Sequence, residues 1–141
     1  MTAHERKSGS PVVRWLLYLA GGWNVIGGAS ALADPEGHFA QMYNGALSLE
    51  DPLQAFFFRA TWINVIAWGF GYILAGRFPA AGGAVLAAGG AGKLAYFFAC
   101  WALFSSGRGS RMLLAAGILD VVCAVFFAYV LWARPWKPSR A

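Results

Sequence analysis

The amino-acid sequence predicts an all-α fold, a bundle of four transmembrane helices. Hydrophobic residues make up 59% of the 141 residues and charged residues only 12%, whereas soluble domains carry about 25% charged residues. The apolar residues fall into four runs, and each run is near or above the ~20 residues that a helix needs to cross the hydrocarbon core. Because the runs are continuous instead of alternating, they favour helices over the strands of a transmembrane barrel.

The four predicted spans are residues 12–33, 55–76, 79–104 and 111–133. The first follows a polar, basic start, so a cleaved signal peptide is the alternative to a retained span. The run is longer than the 7–15 residues of a usual signal-peptide core, and Ala31-Leu32-Ala33 offers only a weak cleavage site. We therefore expect the first run to stay in the protein as a membrane helix.

The distribution of basic residues predicts the orientation. Residues 1–11 read as a flexible basic tail, and residues 134–141 read as a second basic tail. If both tails are cytoplasmic, that side carries most of the lysine and arginine residues, as the positive-inside rule requires. These are Arg6, Lys7, Arg14, Arg77, Arg134, Lys137 and Arg140, against Arg108 and Arg111 on the outer side.

The first outer loop, residues 34–54, contains the pattern of a short helix. Asp34-Pro35 supplies an N-cap followed by proline at the first helical position. Phe39, Met42 and Tyr43 then recur at helical spacing, which predicts an amphipathic helix on the outer surface. Asp51-Pro52 repeats the capping pattern and is expected to start the second long helix a turn before the bilayer.

A lysine inside the third apolar run is the strongest candidate for a functional residue. Inserting an ionisable side chain into the centre of the bilayer costs at least ~2.5–3.5 kcal/mol, so such a side chain is expected to pair with an opposite charge. Asp120 in the fourth run is our candidate partner for Lys93. The pair has three interpretations: it only specifies which helices meet, it handles protons or binds a ligand, or each residue pairs with another subunit.

Two asparagines extend this candidate site into a layer. Asn24, Asn64, Lys93 and Asp120 each lie roughly 13–17 Å below the outer boundary of their helix, at 1.5 Å per residue. Each long helix is therefore expected to place one polar residue at the same depth in the membrane. There the asparagine amides can form the hydrogen bonds that the Lys93–Asp120 pair leaves open.

Three further residues complete the candidate set for ligand binding or proton handling. Arg59 lies about one turn inside the second run and either extends to the headgroups or contacts an anion above the layer. Trp23 is too deep for the aromatic belt, as are Trp62 and Trp68, so packing or a ligand pocket must explain these side chains. Tyr96 lies one turn from Lys93.

Small residues form a stripe along the third run, at Gly83, Ala87, Ala91, Ala95 and Ala99. This spacing lets helices approach closely in lipid. Lys93 points away from the stripe. The stripe and the charge are therefore expected to face different neighbours, one of which is either another helix of this chain or a second copy.

Other patterns are excluded as sites. Gly89-Gly90-Ala91-Gly92-Lys93 resembles the end of a phosphate-binding loop, but Leu94 replaces the required hydroxyl residue and no strand precedes it. His38 has no second ligand at a metal spacing and is expected to be solvated. Cys100 and Cys123 are predicted too far apart for a disulfide.

The sequence therefore predicts no catalytic residue, no metal ligand and no cofactor. The net charge of +5 comes from basic residues at the ends of segments. They form no cluster of the kind that neutralises phosphates, so no nucleic-acid partner is expected.

The segment Gly22-Trp23-Asn24-Val25-Ile26-Gly27-Gly28, followed by Leu32-Ala33-Asp34-Pro35, resembles the first helix and outer loop of small bacterial four-helix membrane proteins of the broad DoxX-like kind. The resemblance covers the architecture of most of the chain. It implies a multi-pass protein of the bacterial inner, cytoplasmic membrane. Some proteins of this kind are associated with redox or quinone-linked membrane complexes, and no established catalytic residue carries over.

Together these patterns favour an integral membrane protein without evident enzymatic activity. We expect it to self-associate or to serve as a small subunit of a larger complex, surrounded by membrane lipid, with a buried Lys93–Asp120 site for a small ligand. A proton-coupled small-molecule transporter is the alternative. A membrane enzyme acting on a lipid or isoprenoid is the third hypothesis.

Overall fold

The computed structural model describes residues 10–44 and 48–133, which are helical apart from short connections. The five helices are α1 (Pro11–Ala33), α2 (Pro35–Met42), α3 (Pro52–Arg77), α4 (Pro79–Ser105) and α5 (Arg111–Ala133). The four long helices coincide closely with the four apolar runs. The predicted tails lie outside the described residues, except for their border at Ser10 and Pro11.

The predicted capping patterns explain where α2 and α3 begin. The Asp34 carboxylate accepts a hydrogen bond from the Gly37 amide at 3.0 Å, at the start of α2. The Asp51 carboxylate accepts one from the Leu53 amide at 2.7 Å, at the start of α3. Each carboxylate thereby satisfies an amide that has no partner within its helix.

The long helices associate mainly as two pairs, α1 with α3 and α4 with α5, and α3 contacts α4. Glycines bring α1 and α3 close together. A Cβ atom at position 21 would lie 2.5 Å from the Gly69 carbonyl oxygen, and one at position 69 would lie 2.7 Å from the Gly21 carbonyl oxygen. Only glycine allows this backbone approach, as expected for helix association in lipid.

Two buried clusters hold the bundle together. One lies at the end opposite α2, where Leu17, Tyr72, Leu86 and Phe127 bring all four long helices into contact. The other lies beneath α2, where Met42 packs with Cys100 and Leu113. The two cysteines are free thiols.

Among the described residues, three helices are long and apolar enough to cross a membrane: α1, the Gly82–Ser105 part of α4, and α5. Helix α3 has 26 residues and is long enough. It carries Arg59 and Asn64, which lower its mean hydropathy. The described part of the chain is therefore helical and contains three helices that could cross a membrane, and the fourth span stays a prediction.

The stripe of small residues on α4 lies on the surface of the bundle. Ala87, Ala91, Ala95 and Ala99 are exposed, and Gly83 is half-buried. Helix α4 instead approaches its neighbours through other glycines, such as Gly82 against Ala75 and Gly89 against Tyr72. No helix of the described chain therefore covers the stripe, and its contact with a second copy stays a prediction.

Candidate functional site

The buried ion pair predicted from the sequence is present. The Lys93 ammonium group donates a hydrogen bond to the Asp120 carboxylate. The Lys93 side chain is 8% exposed and the Asp120 side chain 21% exposed. Neither residue has a second ion-pair partner among the described residues, so each charge depends on the other for its compensation.

An aromatic ring and an amide lie beside the pair. The Lys93 Nζ atom is 5.7 Å from the centre of the Tyr72 ring, within the range of a cation–π contact. Tyr72 fits against α4 because residue 89 is glycine, where a Cβ atom would lie 2.5 Å from the tyrosine hydroxyl oxygen. Asn24 is buried on α1 and faces the same space.

These residues line a cavity of about 530 Å³ between the helices. Its volume is that of a site for a small molecule, which typically measures about 300–1,000 Å³. The walls are mainly apolar and carry several large rings. The aromatic lining residues are Trp23, Trp62, Trp68, Tyr72 and Tyr96.

The cavity opens sideways, between α1 and α5. These two helices make little direct contact. Their residues at the rim are exposed, with Trp23 at 66%, Ile26 at 71% and Leu119 at 47%. At the end opposite α2, the cluster around Leu17 and Phe127 closes the bundle. The cavity is therefore accessible from the side on which the lipid chains would lie.

Helix α2 covers the other end of the cavity. Its Met42 and His38 side chains both line the space. The C-terminal end of α2 is attached to the α4–α5 connection, where the Ser110 hydroxyl donates to the Gln41 carbonyl at 2.6 Å. The Asn44 side-chain amide donates to the Gly109 carbonyl at 3.1 Å. Helix α2 is thus fixed at both ends, through Asp34 to α1 and through this connection to α5.

The expectation that His38 is solvated is only partly correct, because the residue is half-buried. Its ring stands edge-on to Trp62, with 4.7 Å between the ring centres. Its Nε2 atom is buried without a hydrogen-bond partner among the described residues. Burial lowers the pKa of His38, and the nearby Asp34 carboxylate opposes this shift. Sequence reasoning missed this residue because the fold of the outer loop over the bundle has no local signal.

The predicted polar layer is also only partly correct. Lys93, Asp120 and Asn24 meet at the cavity, whereas Asn64 is exposed and its amide donates to the Ala60 carbonyl at 3.0 Å. Arg59 is exposed and does not line the cavity. Exposure of Arg59 agrees with the interpretation that its side chain extends to the headgroups. Asn64 was assigned to the layer by its depth, and depth does not fix the direction in which a side chain leaves the helix.

The structure places the other two predicted residues, Trp23 and Tyr96, in the cavity wall. It adds Tyr72, His38 and Met42, which sequence reasoning did not assign to a site. A signal for Tyr72 exists in the sequence, because Thr61, Val65, Trp68 and Tyr72 follow one another at helical spacing on the cavity side of α3.

The composition of the site limits its chemistry. Lys93 and Asp120 cancel each other's charge, and the remaining polar groups are neutral amides and hydroxyls or a histidine. No group of three His, Cys, Asp or Glu side chains in the described ranges is placed to hold a metal ion. Comparison with protein-family models, curated proteins and solved structures found no match. The resemblance to DoxX-like proteins therefore stays a prediction.

Proposed function

We propose that all four long helices span a membrane, with both termini on the cytoplasmic side and α2 on the outer side. The support for α3 is its place in the bundle, since it packs between α1 and α4 and has 26 residues, against 23 in α1 and 27 in α4. Its exposed surface includes the large apolar side chains Phe57, Ile63 and Phe70 beside the polar Arg59 and Asn64. Arg59 lies close enough to the α2 end for its side chain to reach the headgroups.

We propose that the protein binds a small, largely apolar molecule that enters the cavity from the lipid between α1 and α5. The observation that carries this proposal is the cavity of about 530 Å³ with the Lys93–Asp120 pair in its wall. A ligand site typically combines apolar walls with a few convergent polar groups, and this cavity has both features.

Binding fits the geometry better than transport. The four-helix cluster at the end opposite α2 packs buried side chains of all four long helices below the cavity, and transport would require these side chains to separate. An enzymatic role would require Lys93 or Asp120 to release its partner before it could transfer a proton. A binding role requires no such rearrangement of the pair.

Two glycines provide a matched test. A Cβ atom added at Gly92 or at Gly22 would meet nothing within 4 Å, so both positions accept a larger side chain. Gly92 lines the cavity, whereas Gly22 does not. Purification of the wild type and the Gly92→Phe variant in mild detergent, followed by mass spectrometry of extracted small molecules, measures the bound ligand. We expect Gly92→Phe to lower the amount of bound small molecule per protein by about tenfold, because the phenylalanine ring occupies part of the cavity. This change corresponds to ~1.4 kcal/mol of binding free energy.

The Gly22→Phe variant should retain the wild-type amount of bound small molecule, because its ring lies outside the cavity. Equal amounts in all three proteins, or no molecule enriched with the wild type, would contradict the proposal.

A further inference from the structure

The cavity has a polar group at each end. At the deep end lies the Lys93–Asp120 pair. At the end beneath α2 lies His38, whose Nε2 atom is buried and has no hydrogen-bond partner among the described residues. A buried polar atom without a partner has lost its hydration without compensation, so a ligand group that supplies the missing hydrogen bond gains affinity.

The two polar ends are separated by an apolar wall. Asp120 lies nine residues into α5, about 13 Å along the helix axis from the end that contacts α2. Between these levels the cavity is lined by Trp62, Tyr96 and Ala116. A molecule that reaches both ends must therefore carry an apolar, elongated body, and flat aromatic walls favour a body made of rings.

The charges at the two ends favour a neutral ligand. The Lys93 and Asp120 charges compensate each other, so an ionised ligand would lose its hydration without gaining an opposite charge. The rings that face His38 belong to Trp62 and Phe58, and within residues 10–44 and 48–133 the charged group that acts on it is Asp34, at the start of α2. Burial also favours the uncharged imidazole, as the lowered pKa indicates.

We propose that His38 is a second ligand-binding residue, and that the ligand is a neutral, ring-containing molecule with a hydroxyl or carbonyl group at each end. One oxygen accepts a hydrogen bond from the Nε2–H group of the neutral His38 imidazole beneath α2, and the other accepts from the Lys93 and Asn24 side chains at the deep end. This inference rests on the ligand-binding function proposed above and specifies the class of ligand.

Three related four-ring compounds test the inference: androstane without a carbonyl, androstanone with one, and androstanedione with one at each end. Binding is measured with purified protein and tritiated androstanone in a scintillation proximity assay, with the unlabelled compounds as competitors. We expect androstanedione to compete about three- to tenfold better than androstanone, the range for one added hydrogen bond to a buried group.

Variants at position 38 separate the possible outcomes. His38→Phe keeps an aromatic ring against Trp62 and should remove the advantage of androstanedione, while androstanone binds as before. His38→Gln keeps a hydrogen-bonding side chain and should retain part of the advantage, and Gln41→Leu, on the exposed side of α2, should retain all of it.

If androstanone binds but androstanedione has no advantage, or if the advantage survives His38→Phe, the role of His38 is overturned and the binding function stands. If His38→Phe weakens all competitors equally, the residue only shapes the cavity. If the wild type binds none of the three compounds, the proposed ligand class is overturned, and the independent measurement on Gly92→Phe decides whether the binding function falls with it.

Discussion

At the scale of single residues, the central feature is the mutual dependence of Lys93 and Asp120. Each side chain is largely buried, and each would be an uncompensated charge without the other. Removing one partner of a buried pair is more costly than replacing both with apolar residues, because the remaining charge keeps its desolvation penalty. The pair can therefore be tested without assuming any particular ligand.

We predict that Lys93→Met and Asp120→Leu each lower the free energy of unfolding by about 3–5 kcal/mol, whereas the double variant recovers most of the loss. Reversible unfolding in mixed micelles measures the three values. Arg59→Gln is the control, because Arg59 is an exposed cation and should change stability by less than ~0.5 kcal/mol. Additive losses in the double variant would show that the two charges do not compensate each other.

His38 predicts a pH dependence of stability. Burial lowers its pKa below the ordinary value of 6.5, so the unfolded chain binds this proton more readily than the folded chain. The contribution of His38 to stability is therefore complete above pH 6.5 and is lost as the pH falls below this value, toward the folded-state pKa. As the pH is lowered from 8 to 5, the midpoint temperature of thermal unfolding should fall less in His38→Gln than in the wild type. A larger fall in the variant would contradict the assigned direction.

At the scale of elements, the α1–α3 contact and the α2 cover have different origins. Helices α1 and α3 pack closely because glycines face each other at their crossing. Helix α2 is held by its Asp34 cap, by hydrogen bonds to the α4–α5 connection, and by contacts of Met42, His38 and Phe39 with the bundle beneath it. The helix pair therefore depends on the absence of side chains at its crossing, whereas α2 depends on contacts with residues that are distant in the sequence.

Adjacent glycines in α1 test the close helix contact. Gly21→Ala places a methyl group 2.5 Å from a backbone oxygen of α3, so the helices must separate. We predict a loss of about 1–3 kcal/mol in the free energy of unfolding, the usual cost of overpacking. Gly22→Ala meets nothing within 4 Å and should be neutral or slightly stabilising. Thermal unfolding of both variants in detergent makes the comparison, and equal effects would contradict the close packing of α1 on α3 at Gly21.

At the scale of the whole molecule, the described helices form a bundle that is closed at one end and open to the side at the other. Large apolar side chains cover its exterior, including Leu19, Phe98 and Val125. An exterior of this kind is stable in lipid and would aggregate in water. The exterior and the lateral opening are therefore consistent with one environment, the hydrocarbon core of a membrane.

Cysteine labelling tests the proposed topology, including the span of α3. In a background with Cys100→Ala and Cys123→Ala, single cysteines are introduced as Ser48→Cys, Arg77→Cys and Arg108→Cys. A membrane-impermeant maleimide added to intact bacterial cells should label positions 48 and 108 and should label position 77 only after permeabilisation. Labelling of positions 48 and 77 from the same side would show that α3 does not cross the membrane.

The sequence by itself determined the helices and the ion pair. Long apolar runs must form helices in lipid, because every backbone polar group needs an internal partner there. The Asp-Pro pairs at positions 34–35 and 51–52 fixed two helix starts through local hydrogen bonds. Lys93 and Asp120 could be paired in advance because each buried charge requires a partner and the intervening connection is short.

Only the tertiary structure decided which residues face the cavity. Asn64 and Asn24 have the same predicted depth, yet one is exposed and the other buried, since the rotation of each helix depends on contacts with its neighbours. His38 became a cavity residue because α2 folds over the bundle and attaches to a connection far away in the sequence. The cavity itself arises from the gap between α1 and α5, and no local pattern encodes a separation between distant segments.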